Sequence, residues 1–204
     1  MLTGASSALA IRRASDFCAI DGPASGGTVK CWGRNDDGQL GDGTTKNRSV
    51  ARPVAGLPAA RAVATGAAHA CALLVDGTVR CWGNNQSGQL GDGSQTRRLV
   101  PVEVKGLSGA TAISLGGRFS CALRSDGRVL SWGSNDHGAL GDGSGRDQRS
   151  PVEVKGLTDV EEIAAGDSHA CARRRGGAVS CWGFVHEEGG LNVVPPDAPV
   201  MVEE

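Results

Sequence analysis

The chain has 204 residues, 32 of them Gly and 8 Pro, so roughly one residue in five bends or interrupts regular backbone, which excludes a helix bundle or a long coiled coil. Its 21 basic and 22 acidic side chains leave a net charge of -1, so no global field draws in nucleic acid or an anionic membrane, and nucleic-acid binding would need a local basic patch. Apolar residues make up 39%, enough for an ordinary core, and with no run of 18 apolar residues and no basic-then-apolar leader the expectation is a soluble chain.

In chain order, residues 5–21 are the one stretch free of Gly and Pro for long enough to allow a helix, yet SALAIRRA (7–14) stands where AISLGG (112–117) stands later and reads as a short strand. Cys18 and Cys31 bracket IDGPASGGTV (20–29), a longer version of LVDGTV (74–79). CALLVDGTVRCWG (71–83) holds two short apolar runs around Asp-Gly, a hairpin signal. With Gly77 in the left-handed conformation, Cys71 faces Cys81 and Leu73 faces Val79, all on one face, while Ala72 and Arg80 point to the other. PVEVKGL (101–107 and 151–157) and the AISLGG-like segments add two strands per unit.

The period is plain: Trp32, Trp82, Trp132 and Trp182 recur every 50 residues, and Cys71, Cys121 and Cys171 keep the same step. Four strands per unit is the size of a propeller blade. The expectation is one all-β repeat domain over 1–204, a β-propeller of four-stranded antiparallel blades, with units 1–43, 44–93, 94–143 and 144–190 and a terminal strand segment 191–204.

WGRNDDGQLGDG (32–43), WGNNQSGQLGDG (82–93) and WGSNDHGALGDG (132–143), each followed by a Pro-Val or equivalent strand and a Cys-Ala hairpin, resemble the regulator of chromosome condensation repeat, a bladed β-propeller family usually of seven blades. The fourth copy departs from the pattern after Trp182-Gly183, in FVHEEGGLN. Placing the Pro-Val strand at the start of each blade leaves the first blade one strand short, and APVMVEE at the far end matches what is missing, so the termini are expected to share one blade. Closure into four blades, self-association with a second copy to complete a propeller, and an excerpt of a longer array all fit the strand count.

Cys18 with Cys31, Cys71 with Cys81, and Cys171 with Cys181 are facing pairs, whereas Cys121 opposes Ser131. Directly opposed cysteines in an antiparallel ladder lie within disulfide reach, and pairing in register favours disulfides over free core thiols; zinc is disfavoured because no Cys-x-x-Cys occurs. Disulfides imply an oxidising setting, hence an extracytoplasmic or secreted protein. His69 and His169 share a repeat position with Phe119, which points to packing or hydrogen bonding rather than ligation, and His137 and His186 have no partner at metal spacing. Asn35, Asp36 and Asp42 and their repeats read as turn-makers, not calcium ligands. The expectation is thus no metal and no cofactor.

No nucleophile elbow or phosphate loop is present, and Glu161-Glu162 and Glu187-Glu188 are neighbours that would point to opposite faces of a strand. No catalytic residue is assigned. Lys46, Arg48, Arg97, Arg98, Arg146 and Arg149 all fall between the Gly-Asp-Gly turn and the following strand, and form a candidate basic arc for a protein partner. The reading is a non-catalytic protein-interaction scaffold, binding or inhibiting an extracytoplasmic partner, as the resemblance implies. The alternative is a hydrolase or lyase with its site in a central channel. A membrane partner is not expected, and the charge balance disfavours nucleic acid.

Overall fold

The computed structural model describes residues 9–11, 16–23, 25–187, 190–193 and 200–201. The protein is all-β, with four antiparallel sheets in series. Strands β1 (Leu9–Ile11), β2 (Asp16–Asp21), β3 (Thr28–Gly33) and β4 (Arg48–Pro53) make the first blade. β5 (Ala60–Thr65), β6 (His69–Leu74), β7 (Val79–Gly83) and β8 (Arg98–Glu103) make the second. β9 (Ala110–Leu115), β10 (Phe119–Arg124), β11 (Val129–Gly133) and β12 (Gln148–Glu153) make the third. The fourth holds β13 (Val160–Ala165), β14 (His169–Arg174), β15 (Val179–Glu187) and β16 (Gly190–Val193), with β17 (Val200–Met201) also paired to β15. Strands, not a helix, occupy residues 9–11 and 16–21, and a single 3₁₀ turn at Asp136–Gly138 is the helical element among the described residues.

The hairpin register is as the sequence predicts: Cys18 opposes Cys31, Cys71 opposes Cys81, Cys171 opposes Cys181, and Cys121 opposes Ser131. The blade phase differs. Val104 donates its N–H to Val79 O at 3.0 Å, as Val54 does to Val29 O and Val154 to Val129 O. The Pro-Val strand is therefore the outer strand of the preceding Trp-Gly hairpin, not the first strand of the next blade. This overturns the shared blade: β1 to β4 form a full sheet of consecutive strands, and Val200 of β17 opposes Cys181 in the fourth sheet. The unit boundaries mark the sequence repeat, while the sheets are cut after the Pro-Val strand. FVHEE, where the fourth copy departs from the repeat pattern, continues β15, and Phe184 opposes Val193 of β16. The side chains of His186 and Glu187, residue Glu188, and APVMVEE apart from Val200–Met201 lie outside the described residues.

The core sits between blades. Cys71, Leu73, Val79, Cys81, Leu90, Val104 and Leu107 of the second blade pack with Ala110, Leu115, Ala122 and Trp132 of the third, and equivalent clusters join the other neighbours. Small Ala72-type residues on one face admit the cysteine face of the blade before, so a single blade cannot bury its own apolar face. Each hairpin turn also hydrogen-bonds the next inner strand: Gly27 pairs with Ala60, Ala110 donates to Gly77 O at 3.2 Å and Val160 to Gly127 O at 3.0 Å.

Candidate interaction face

The loop after each Trp-Gly is built on one buried asparagine. Asn85 is fully buried; its Nδ2 donates to Asp92 Oδ1 (3.2 Å), Ser94 O (3.1 Å) and Thr96 O (3.1 Å), while its Oδ1 accepts Leu90 N–H (3.0 Å). Asn35 and Asn135 repeat the pattern on Leu40 and Leu140 and on Asp42 and Asp142. The carboxylate is the second anchor. Asp42 accepts Thr44 N–H (3.0 Å) and hydroxyl (2.7 Å), then takes Arg48 Nε and Nη2, each at 2.7 Å. Asp92 does the same with Ser94 and Arg98, and Asp142 with Ser144 and Gln148 Nε2 (3.0 Å). Burial pushes the carboxyl pKa values of Asp42 and Asp92 up, but the Thr44 or Ser94 donors and the Arg48 or Arg98 guanidinium outweigh it and hold both below the usual carboxylate range.

Trp Nε1 fastens each loop to the next blade: Trp82 donates to Gln39 O (2.8 Å), Trp132 to Gln89 O (2.9 Å) and Trp182 to Ala139 O (3.0 Å). The indole lies so close to the loop that a Cβ at Gly91 would stand 2.9 Å from both Trp132 Nε1 and Val104 Cγ1. His69 Nε2 meets Ser120 Oγ of the next blade at 3.0 Å, and that hydroxyl donates to Gln89 O at 2.9 Å. His69 is thus a buried member of the joint between blades.

Of the six basic residues named above, Arg48 and Arg98 are committed to Asp42 and Asp92 inside their own loops. Lys46, Arg97, Arg146 and Arg149 are exposed and have no ion pair among the described residues. Arg97 Nη1 crosses to Asp36 O of the preceding loop at 3.1 Å, and Arg149 O accepts Gly93 N–H at 2.9 Å, so loops of neighbouring blades are laced together. The six positions are not strictly equivalent: Arg48 and Arg98 align with Gln148, and Arg149 aligns with Leu99 and Ser49.

The three facing pairs are disulfides, with Cα–Cα separations of 4.2, 4.0 and 4.0 Å. Cys121 is free and buried, and burial pushes its thiol up to about 12. Sequence reasoning missed Asp16. By register it holds the position of His69, Phe119 and His169, since each opposes the Gly after its Trp. Asp16 is fully buried, and neither carboxyl oxygen reaches a side-chain hydrogen-bond partner among the described residues. Burial raises its pKa to about 7, its own backbone and the Arg34 charge pulling the other way without cancelling the effect. Register with the histidines was the available signal.

The family profile described as the regulator of chromosome condensation (RCC1) repeat matches residues 26–73, 76–123 and 126–173, and a second profile of the same description matches 60–89 and 110–139. Among solved structures, yeast RCC1 (Prp20) bound to Kap60 superposes with a TM-score of 0.80 at 24% identity, over 96% of this chain and 48% of that one. Human WBSCR16 follows at 0.77 and 19%, over 93% and 50%. Saccharomyces cerevisiae Prp20p, described with its binding properties to Gsp1p and histones, gives 0.76 and 23%, over 98% and 50%. At these identities the likeness is one of fold, and the chain spans about half the length of the structures it matches. No curated protein matches the chain.

Proposed function

The chain belongs to the regulator of chromosome condensation (RCC1) repeat family, and from that membership we propose that it is a protein-interaction scaffold that offers its loop face to a partner and turns nothing over. One observation carries the reading: the loops that hold Arg48 and Arg98 in ion pairs leave Lys46, Arg97, Arg146 and Arg149 exposed and uncompensated among the described residues. Such charges steer an acidic partner and set register more than they add affinity. Binding of Kap60, Gsp1p and histones by the yeast relative is consistent with a protein partner here, of a kind this chain's loops would select for themselves. Three disulfides favour an oxidising, extracytoplasmic setting for that encounter.

The test is kinetic. With a partner recovered on the immobilised, oxidised chain, association should slow between about 50 and about 500 mM salt, as the screening length shortens. Replacing Lys46, Arg97, Arg146 and Arg149 together by Ala should slow association in the same way, with the melting temperature nearly unchanged. A partner whose association ignores both moves the site off the loop face. Turnover abolished by one channel-facing substitution would replace the scaffold with an enzyme.

A further inference from the structure

Neighbouring blades also meet at the hairpin turns, the opposite end of the strands from the loops after Trp-Gly, and three such joints stand side by side. In each, the first residue of an inner strand turns its main chain toward the turn of the blade before. Ala60, Ala110 and Val160 donate their N–H to Gly27 O, Gly77 O and Gly127 O at 3.0, 3.2 and 3.0 Å. The N–H and C=O of one strand residue lie on the same side, so the three carbonyls face the turns as well. Two of them are satisfied there: Ala60 O accepts Gly27 N–H at 2.9 Å, and Ala110 O accepts Arg61 Nη2 at 2.6 Å. Val160 O accepts nothing from the turn or from a side chain among the described residues.

One repeat position makes the difference. Fifty residues after Arg61 stands Thr111, whose short hydroxyl stays in its own blade and donates to Leu123 O at 3.2 Å. Where Arg61 spans the second joint, the third keeps a cavity of about 370 Å³ whose walls include Thr111, Asp159 and Val160. Two of the acidic side chains in that wall are already paired. Asp126 meets Arg124 at 2.8 Å, and Glu161 meets Arg173 at 2.9 Å and Arg175 at 3.7 Å. Asp159 is exposed and has no ion pair among the described residues. Its φ of 57° matches the 66° of Gly109 one repeat earlier, so a carboxylate stands on backbone that favours glycine. An open carbonyl, an unpaired carboxylate and room for a long side chain describe a seat for a planar cation, filled from within by Arg61 in the joint before.

We propose that this cavity binds the guanidinium of an arginine side chain of a partner protein, donating to Val160 O as Arg61 does to Ala110 O and pairing with Asp159. Lysine would supply a point charge without the planar fork. The site goes beyond the loop-face reading and stands at the other end of the strands from it.

The probe is an end-blocked peptide, Ser-Gly-Arg-Gly-Ser, with counterparts carrying Lys or citrulline for Arg, titrated into isotope-labelled, oxidised chain and followed by nuclear magnetic resonance. The Arg peptide should shift the amides of Thr111, Asp159 and Val160 saturably. Citrulline, which keeps the shape and loses the charge, should bind at least about tenfold more weakly, and Lys at least about threefold. Asp159→Asn should weaken the Arg peptide about tenfold. Thr111→Arg should close the cavity from within and abolish binding. Arg61 shows that the fold accepts arginine at this position, and a melting temperature no lower than the parent's checks it. Replacing Lys46, Arg97, Arg146 and Arg149 together by Ala should leave Arg-peptide binding unchanged. Absence of a saturable shift, equal binding of the Arg and citrulline peptides, or a folded Thr111→Arg variant that binds like the parent overturns the proposal. Should that variant not fold, Asp159→Asn on its exposed turn decides, and parental binding by it overturns the proposal. A recovered partner lost from the four-cation variant but indifferent to Thr111→Arg and Asp159→Asn keeps the scaffold and overturns the cavity as its docking site. A partner that ignores the four-cation change but is lost from Thr111→Arg keeps the cavity and removes the arc.

Discussion

Asp16 is the residue whose chemistry departs most from its position. Its carboxyl occupies the place of an aromatic or imidazole ring in the other blades, and its own backbone and the Arg34 charge do not make good the water it has lost. The unfolded chain releases this proton near 3.8 and the folded chain only near 7. Between those values the folded state holds the extra proton, so stability falls as pH rises through the window and levels above it. Asp16→Asn should flatten that slope and, above pH 7, exceed the parent by about 1–3 kcal/mol. Thermal melts of the two proteins from below 3.8 to above 7 decide it, and a gap that stays constant with pH would sink the assignment. Cys121 makes a simpler case. Its pKa near 12 leaves almost no thiolate, so it should resist thiol reagents in the folded chain and count as a single thiol once unfolded without reductant. The cysteine pairing was legible because opposed strand positions alternate with fixed period. The state of Asp16 was not, since burial is a property of the assembled joint.

Among elements, the loop after Trp-Gly is held more tightly than its Gly-rich sequence implies. That Asn35, Asp42 and their repeats make turns was readable from side-chain chemistry. That Asp42 and Asp92 also capture a basic residue six positions on, where Asp142 captures Gln148, was not, because spacing alone does not distinguish a solvated cation from one folded back. The consequence concerns Arg98, whose Nε and Nη2 both reach Oδ2 of Asp92, a side chain only 6% exposed. Arg98→Ala should cost about 1–2 kcal/mol, more than an ordinary surface pair, because Asp92 Oδ2 loses its guanidinium while Oδ1 keeps Asn85 and Ser94. Asn85→Ala should cost about 2–4 kcal/mol, since Leu90 N–H and the carbonyls of Ser94 and Thr96 lose their shared partner. Chemical denaturation of the two variants beside Lys46→Ala, expected to be nearly neutral, tests the division of the arc into structural and free cations. Equal effects in all three would erase that division.

At the scale of the molecule, the 50-residue period was legible and the phase was not. A period defines the repeating unit but not where sheets are cut, and the Pro-Val strand has a plausible neighbour on either side. The Val104 N–H to Val79 O bond settles the choice, placing a complete blade at β1 to β4 and the shared cores between blades. Because the cysteine faces of the first two blades pack on the blade that follows, the Cys18–Cys31 and Cys71–Cys81 disulfides each support two blades at once. The third blade already shows that the ladder keeps its register without one: Cys121 opposes Ser131, whose hydroxyl donates instead to Leu140 O. Cys81→Ser should therefore fold with the same β-type circular dichroism, the new hydroxyl facing Leu90 O. It should lose about 2–3 kcal/mol, the loop-closure contribution of a crosslink between residues 10 apart. Full reduction of the parent should lower the urea midpoint further, and intrinsic tryptophan fluorescence should follow circular dichroism through one transition, because Trp82, Trp132 and Trp182 report the joints that the cysteine faces help to build. A midpoint indifferent to reductant would mean that the three bonds do not brace the blades, and a tryptophan transition separated from the loss of sheet would mean that the joints open before the blades do.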